Sequence, residues 1–207
     1  MNERLKILVD NASLLSKTDQ KAFAMVRRMG FGASDASILL GVNPFPNGTI
    51  KLLIEQKRSD TLTADEVAIG QMVNVRKGSD LEPLILKKFQ EKYMIADDRL
   101  EKPEAMYGIR DTQLTVNFDG VLSLGVFDVP VEIKYVSTYG EKYYDFSKCM
   151  GPVLDYNYDE QGPLVEVVPE YVAMKAKQAG IPVYYYTQLQ QQMYALDAPF
   201  GYLCVLL

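Results

Sequence analysis

Apolar residues recur at helical spacing from Leu81 to Tyr93. Ile85, Leu86, Phe89 and Tyr93 form one stripe there with Glu82 among them, while Lys87, Lys88 and Glu91 lie off it. An amphipathic helix carrying a carboxylate on its apolar side is predicted. A second helix is predicted from Val183 to Leu196. Between them the composition changes: β-branched and aromatic residues dominate Leu114–Leu122 and Val126–Val136, and Ser123-Leu124-Gly125 supplies a turn, so an antiparallel hairpin is predicted. Residues 1 to 28 read as helical. After Gly32 a short helix is predicted with Ser34 as its cap, Asp35 in its first turn, Ile38 and Leu39 on its apolar side and Gly41 at its end. Asn43-Pro44 then forces a turn. Residues 49–58 and 63–77 are predicted to be helical or mixed. The stretch 139–169, with Gly140, Gly151, Pro152, Gly162, Pro163 and Pro169, reads as a long loop. Tyr202–Leu207 forms a last apolar segment.

A chain of 207 residues that is 48% hydrophobic and 11% aromatic can bury one sizeable core. With no internal repeat or proline-rich linker, it is read as a single domain over residues 1–207. No run approaches the roughly 18 consecutive apolar residues of a membrane span, and the N-terminus lacks the layout of a secretory signal. A soluble, cytoplasmic protein with no membrane partner is expected. Cys149 and Cys204 cannot build a disulfide framework or a four-cysteine metal site, and both read as free thiols.

The chain contains no histidine. That removes serine–histidine catalysis, histidine-rich zinc sites and histidine general bases together. Carboxylates, lysine and metal-activated water remain for any hydrolysis. Hard oxygen ligands suit magnesium or manganese, which share their coordination with substrate phosphates, so phosphodiester chemistry fits the inventory. The net charge of −5 works against affinity for duplex DNA. Basic residues nevertheless concentrate in the first two thirds, among them Arg27, Arg28, Lys51, Lys57, Arg58, Lys87 and Lys88, whereas residues 155–170 are acidic. A basic DNA face and a mixed solvated surface both accommodate that distribution.

If the hairpin turns near Gly125, Asp119 and Glu132 fall nearly opposite one another, where paired Cβ atoms lie about 4.5–5.5 Å apart. Lys134, two residues further along the strand, returns to the same face. Two close carboxylates resist simultaneous ionisation, and a metal ion relieves the repulsion. In this reading Asp119 and Glu132 hold a metal that polarises a phosphodiester and acidifies water. Lys134 orients that water and stabilises developing charge, and the Ile133 carbonyl is a further ligand. The plain structural rival is a strand whose polar side faces solvent.

Further blocks extend the case. Arg28-Met-Gly-Phe-Gly-Ala-Ser34-Asp35, running on to Leu40-Gly41-Val-Asn-Pro44-Phe45, is followed by Gly78-Ser-Asp-Leu81-Glu82-Pro83, Asn117-Phe118-Asp119-Gly120, Val131-Glu132-Ile133-Lys134 and Tyr186-Thr187-Gln188-Leu189-Gln190. In this order they resemble the motifs of YqaJ-like viral recombinases, relatives of lambda exonuclease, over about Arg28 to Leu196. Phe118 stands where the family often has proline, at a position that supplies no ligand. The resemblance implies the α/β fold of PD-(D/E)xK nucleases, a central mixed β-sheet flanked by α-helices. It also implies dependence on Mg2+ or Mn2+ and a 5′-3′ exonuclease that digests the 5′-ended strand of linear duplex DNA in phage-type recombination by single-strand annealing. Double-stranded DNA ends, a single-strand annealing protein and a toroidal homotrimer are the partners so implied, in a bacterial or phage-infected cell. A PD-(D/E)xK endonuclease of restriction or repair, or a catalytically silent DNA-end-binding protein, is the alternative.

By the same resemblance Glu82 is a metal ligand. Its structural rival is a capping box, since it follows Ser79 at the S-x-x-E spacing, although Pro83 fits that poorly. Gln188 and Gln190 both match the glutamine helix but lie about 200° apart around it. Alignment selects Gln188 for the catalytic set and the apolar stripe selects Gln190; Gln188 is taken. Arg28 and Ser34 bracket a glycine loop leading to a helix N-terminus, suited to a phosphate, which the resemblance identifies as the DNA 5′-phosphate. A capping turn beside a surface arginine is the rival there, and Tyr143, Tyr144, Tyr156 and Tyr158 are read as ordinary loop packing rather than base-stacking residues.

Overall fold

The segments with strand-like patterning separate, in a computed structural model, into two four-stranded sheets. Residues 3–12, 15, 18–61, 73–136, 142–145 and 169–206 are described. In chain order the elements are β1 (Leu5–Val9), α1 (Gln20–Val26), β2 (Phe31–Gly32), α2 (Ala36–Leu39), α3 (Ile50–Arg58), α4 (Val73–Tyr93), β3 (Leu100–Glu101), β4 (Met106–Ile109), β5 (Leu114–Val116), β6 (Gly120–Ser123), β7 (Asp128–Tyr135), α5 (Pro169–Ala179), α6 (Val183–Leu196) and β8 (Tyr202–Leu206). One sheet has the order β1-β4-β5-β2 and the other β3-β6-β7-β8. Each is mixed, because β2 runs parallel to β5 and β8 parallel to β7.

The architecture is thus mixed α/β as expected, but the described strands form two sheets instead of one. The change occurs inside the stretch expected to be a single strand, Leu114–Leu122. Its alternation persists, with Val116, Phe118 and Gly120 all buried, but its partners change: β5 pairs with β4 and β2, and β6 with β3 and β7. Periodicity reports which face a residue turns to, not which neighbour its backbone bonds.

The N-terminal expectation is also corrected. Leu5–Val9 forms β1, paired antiparallel with the buried strand β4; the helical expectation holds at Ala12, Leu15 and Thr18 and over Gln20–Val26, a helix of 7 residues capped by Asp19 accepting from the Ala22 N–H at 2.9 Å. Ser34 caps nothing. Ala33–Asp35 forms a 3-10 turn before α2, and Asp35 makes the cap by accepting from the Gly32 N–H at 2.9 Å. Helix α3 begins after its cap residue Thr49, as the patterning of residues 49–58 suggested. Helix α4 starts at Val73, so Ser79 and Glu82 both lie inside it and the capping-box rival falls. The predicted helix Val183–Leu196 is α6. Most of the expected loop 139–169 and most of residues 63–77 lie outside the described residues, as do Tyr156, Tyr158 and Cys149. Helix α5, which follows that loop, was not foreseen. Cys204 is a free thiol, and no described helix is long and apolar enough to cross a membrane.

Helices α4 and α6 sandwich β7. A Cβ on Gly120 would come within 2.9 Å of Leu86 Cδ1 and 3.4 Å of Val131 Cβ, so glycine is what lets α4 approach this face. Phe89, Phe118, Val129, Val131, Leu189 and Met193 belong to the buried core around it. By strand alternation Val131, Ile133 and Tyr135 turn one way and Glu132 and Lys134 the other, towards α6. Burying an apolar strand between two helices takes Glu132 out of bulk water and leaves Lys134 only partly exposed.

Candidate active site

The register Gly120↔Val131, Val121↔Pro130 continues one step to set Asp119 opposite Glu132. Asp119 Oδ2 accepts the Ile133 N–H at 2.9 Å, which ties the end of β6 to β7. Lys134 Nζ donates to Glu132 Oε1, as does Gln188 Nε2 from α6. Gln192 Nε2 donates to Glu132 Oε2 at 2.6 Å and to the Asn117 carbonyl at 3.1 Å. Asp119, Glu132, Lys134 and Gln188 all open on one cleft, whose other wall includes Arg27 and Ser34.

Glu132 is 1% exposed. Burial pushes its carboxyl up to about 7; Lys134 pulls against that shift and Asp119 adds to it. Burial disfavours the Lys134 ammonium, but the charges of Glu132 and Asp119 outweigh it and hold the group above the ordinary lysine range. The Lys134 ammonium also sits 5.2 Å from the ring centroid of Tyr185. Because Glu132 holds its proton more tightly folded than unfolded, its contribution to stability is complete below pH 4.5 and is lost as pH rises through about 7. In chelator, the melting temperature of wild type minus that of Glu132→Gln is expected to fall between pH 4.5 and 8. Thermal melts across that range check this, and a difference that rises with pH would contradict the assignment of a desolvated carboxylate.

Not every sequence candidate joins the cluster. Gly78, Glu82 and Leu86 share a face of α4, with Gly78 beside Tyr135 and Leu86 against Gly120, across β7 from Glu132. Glu82 instead binds Lys102 at 2.5 Å, and no group of three potential metal-ligating side chains occurs among the described residues. Arg28 Nη1 donates to the carbonyls of Ser59 and, at 3.0 Å, Thr61. Its neighbour Arg27 takes the cleft position, with Nη2 donating to Ser34 Oγ at 2.9 Å. Lys57 steadies this wall: its ammonium lies 2.7 Å from Asp35 Oδ2 and donates to the Arg27 carbonyl at 2.8 Å.

Sequence reading missed Arg27 and Gln192. For Gln192 a signal existed, since it lies four residues after Gln188 and therefore on the same helix face. Gln190 is exposed and turns to Met193 Sδ, while Gln191 donates to the carbonyls of Phe31 and Thr115, each at 3.0 Å. For Arg27 no signal existed, because adjacent arginines at a helix end are told apart only by the turn that follows.

The donor set suits a hard divalent cation: two opposed carboxylates, with the buried Oε1 of Gln192, which has no partner among the described residues, beside them. The family model for the YqaJ-like viral recombinase domain matches residues 22–198. No curated protein and no solved structure matches the chain.

Proposed function

Since the chain belongs to the YqaJ-like viral recombinase family, we propose that it is a nuclease that digests the 5′-ended strand of linear duplex DNA for recombination by single-strand annealing. The observation that carries this reading is the convergence of Asp119, Glu132, Lys134 and Gln188 on one cleft. Asp119 and Glu132, with the Ile133 carbonyl, would hold Mg2+ or Mn2+. Glu82, the further ligand that the resemblance implies, is paired with Lys102 on the other side of β7 and stands outside this set. When bound, the ion supplies Lewis-acid activation of the phosphodiester and of water. Lys134 places a fixed positive charge where negative charge develops on the phosphate, and needs no reorganisation to do so because Glu132 and Tyr185 already hold it. Gln188 orients the Glu132 carboxylate. The ring-shaped trimer and the annealing partner enter this reading through the family resemblance alone, and the single-domain organisation through the absence of a repeat or linker along the chain.

The test is digestion of a linear duplex labelled separately at its 5′ and 3′ ends, with closed circular DNA as control. Loss of the 5′ label with the circle intact is expected. Cutting of the circle would mark an endonuclease, and binding without cleavage in magnesium or manganese a silent end-binding protein.

Within the same reading the 5′-phosphate falls to Arg27 and Ser34 instead of Arg28 and Ser34. Arg27→Ala is expected to erase most of the preference for 5′-phosphorylated over 5′-hydroxyl ends, a loss of about tenfold or more for one charge-assisted contact. Competition between the two substrates measures it. An unchanged preference in Arg27→Ala would return the role to Arg28.

A further inference from the structure

Phe45 is 56% exposed, yet the turn that carries it is tightly stapled. Its N–H donates to Asn43 Oδ1 at 2.9 Å, and Asn43 Nδ2 donates to Ser37 Oγ at 2.8 Å. Ser37 is wholly buried at the start of α2, so the turn is anchored in the core. The Phe45 carbonyl accepts from the Gly48 N–H at 2.9 Å. A Cβ on Gly48 would lie 2.1 Å from Asn43 Oδ1, so only glycine permits this closure. A rigid turn thus presents an apolar ring to water, an arrangement that costs solvation and adds little to the core.

The ring stands at the outer end of an aromatic series that reaches the cluster. Phe45 lies 5.3 Å from Tyr184, centroid to centroid, and Tyr184 lies 4.3 Å from Tyr185. Tyr185 is the ring beneath the Lys134 ammonium. One side of Tyr185 is already stacked by Tyr144, at 6.3 Å and 28°. The exposed ring of the series is Phe45. A strand whose phosphodiester lies at Lys134 is within a few nucleotides' reach of these rings, and bases freed from pairing stack on aromatic faces whatever their sequence.

We propose that Phe45, backed by Tyr184, is a nucleobase-stacking site that receives an unpaired base of the DNA a few nucleotides from the scissile phosphate. The site rests on the nuclease reading above and adds a binding determinant to it. Apolar side chains inserted between base steps are a known way to unstack them.

The chain contains no tryptophan, which makes F45W a clean reporter. In chelator, so that no cleavage occurs, a duplex with a short single-stranded 5′ overhang should quench the indole emission of that variant in step with binding followed by anisotropy. Phe45→Ala should weaken overhang binding about tenfold, F45W should retain it, and both should melt like wild type because the position is exposed. Binding of the overhang with indole emission unchanged would overturn the stacking site and leave the nuclease reading intact. The same holds if Phe45→Ala binds as wild type does, or if it alters only the sedimentation of the protein, which would make Phe45 a contact between copies. Absence of DNA binding by wild type would overturn both readings.

Discussion

Lys134→Ala is expected to lower turnover by about 10²–10³-fold, the effect of removing one preorganised group that stabilises transition-state charge. The fold should lose stability as well. Glu132 is fully buried and would be left without the ammonium that now binds its Oε1. Removing one partner of a buried ion pair costs up to about 3–5 kcal/mol where the other stays charged, and the cost falls below that at pH values where Glu132 takes up a proton. The two consequences separate on addition of manganese. A cation held by Asp119 and Glu132 compensates the abandoned carboxylate, so melting in manganese should recover towards wild type while turnover does not. Single-turnover cleavage and thermal melts with chelator and with manganese check both parts. If manganese fails to raise the melting temperature of the variant, metal binding depends on Lys134 and its assignment to charge stabilisation alone is wrong.

Asp119→Asn is expected to act in the opposite sense on the metal-free protein. Asp119 faces Glu132 across the ladder, and its charge helps to push the Glu132 carboxyl up. Asparagine removes that repulsion at nearly constant shape, and its amide oxygen can still accept the Ile133 N–H. In chelator the variant should therefore melt at or above the wild-type temperature. In manganese it should lose most of the stabilisation that wild type gains, since a ligand stabilises in proportion to its affinity for the folded state. Cleavage should fall by orders of magnitude with the ligand. The measurement is a melt of both proteins over a manganese series. A structural Asp119 predicts the reverse pattern, a loss of roughly 0.5–2 kcal/mol with or without metal. An undiminished manganese shift in the variant would remove Asp119 from the ligand set.

Much of this site was legible as a pattern of residues along the chain. Absence of histidine directed attention to carboxylates and lysine. A turn near Gly125 and a period of two were enough to place Asp119 opposite Glu132 and Lys134 on the same side, because hairpin register follows from local geometry once the turn is located. Helix α6 was recovered with its limits, since a long periodic segment between Pro182 and the left-handed Asp197 has clear ends. Gln188 was selected by the alignment of motifs and not by periodicity, since the apolar stripe selects Gln190, which is exposed.

What tertiary structure decided is everything that depends on which surfaces meet. The partners of Leu114–Ser123 divide between two sheets, and local alternation is the same for either neighbour. Leu5–Val9 becomes a strand because β4 is there to bond it; alone, five residues carry too little information to prefer that state over a helix. Arg27 faces the cleft and Arg28 the Ser59 and Thr61 carbonyls because of the turn that follows them. Glu82 meets Lys102 because α4 packs on the far face of β7, a contact between residues 20 positions apart that no spacing rule anticipates. By itself the sequence determined the chemical inventory, the faces and the short-range register, all of which are properties of neighbouring residues. Only the packing of helices on both sides of β7 decided which of those groups are desolvated together; that burial raises Glu132, and the charges of Glu132 and Asp119 hold the Lys134 ammonium in spite of it.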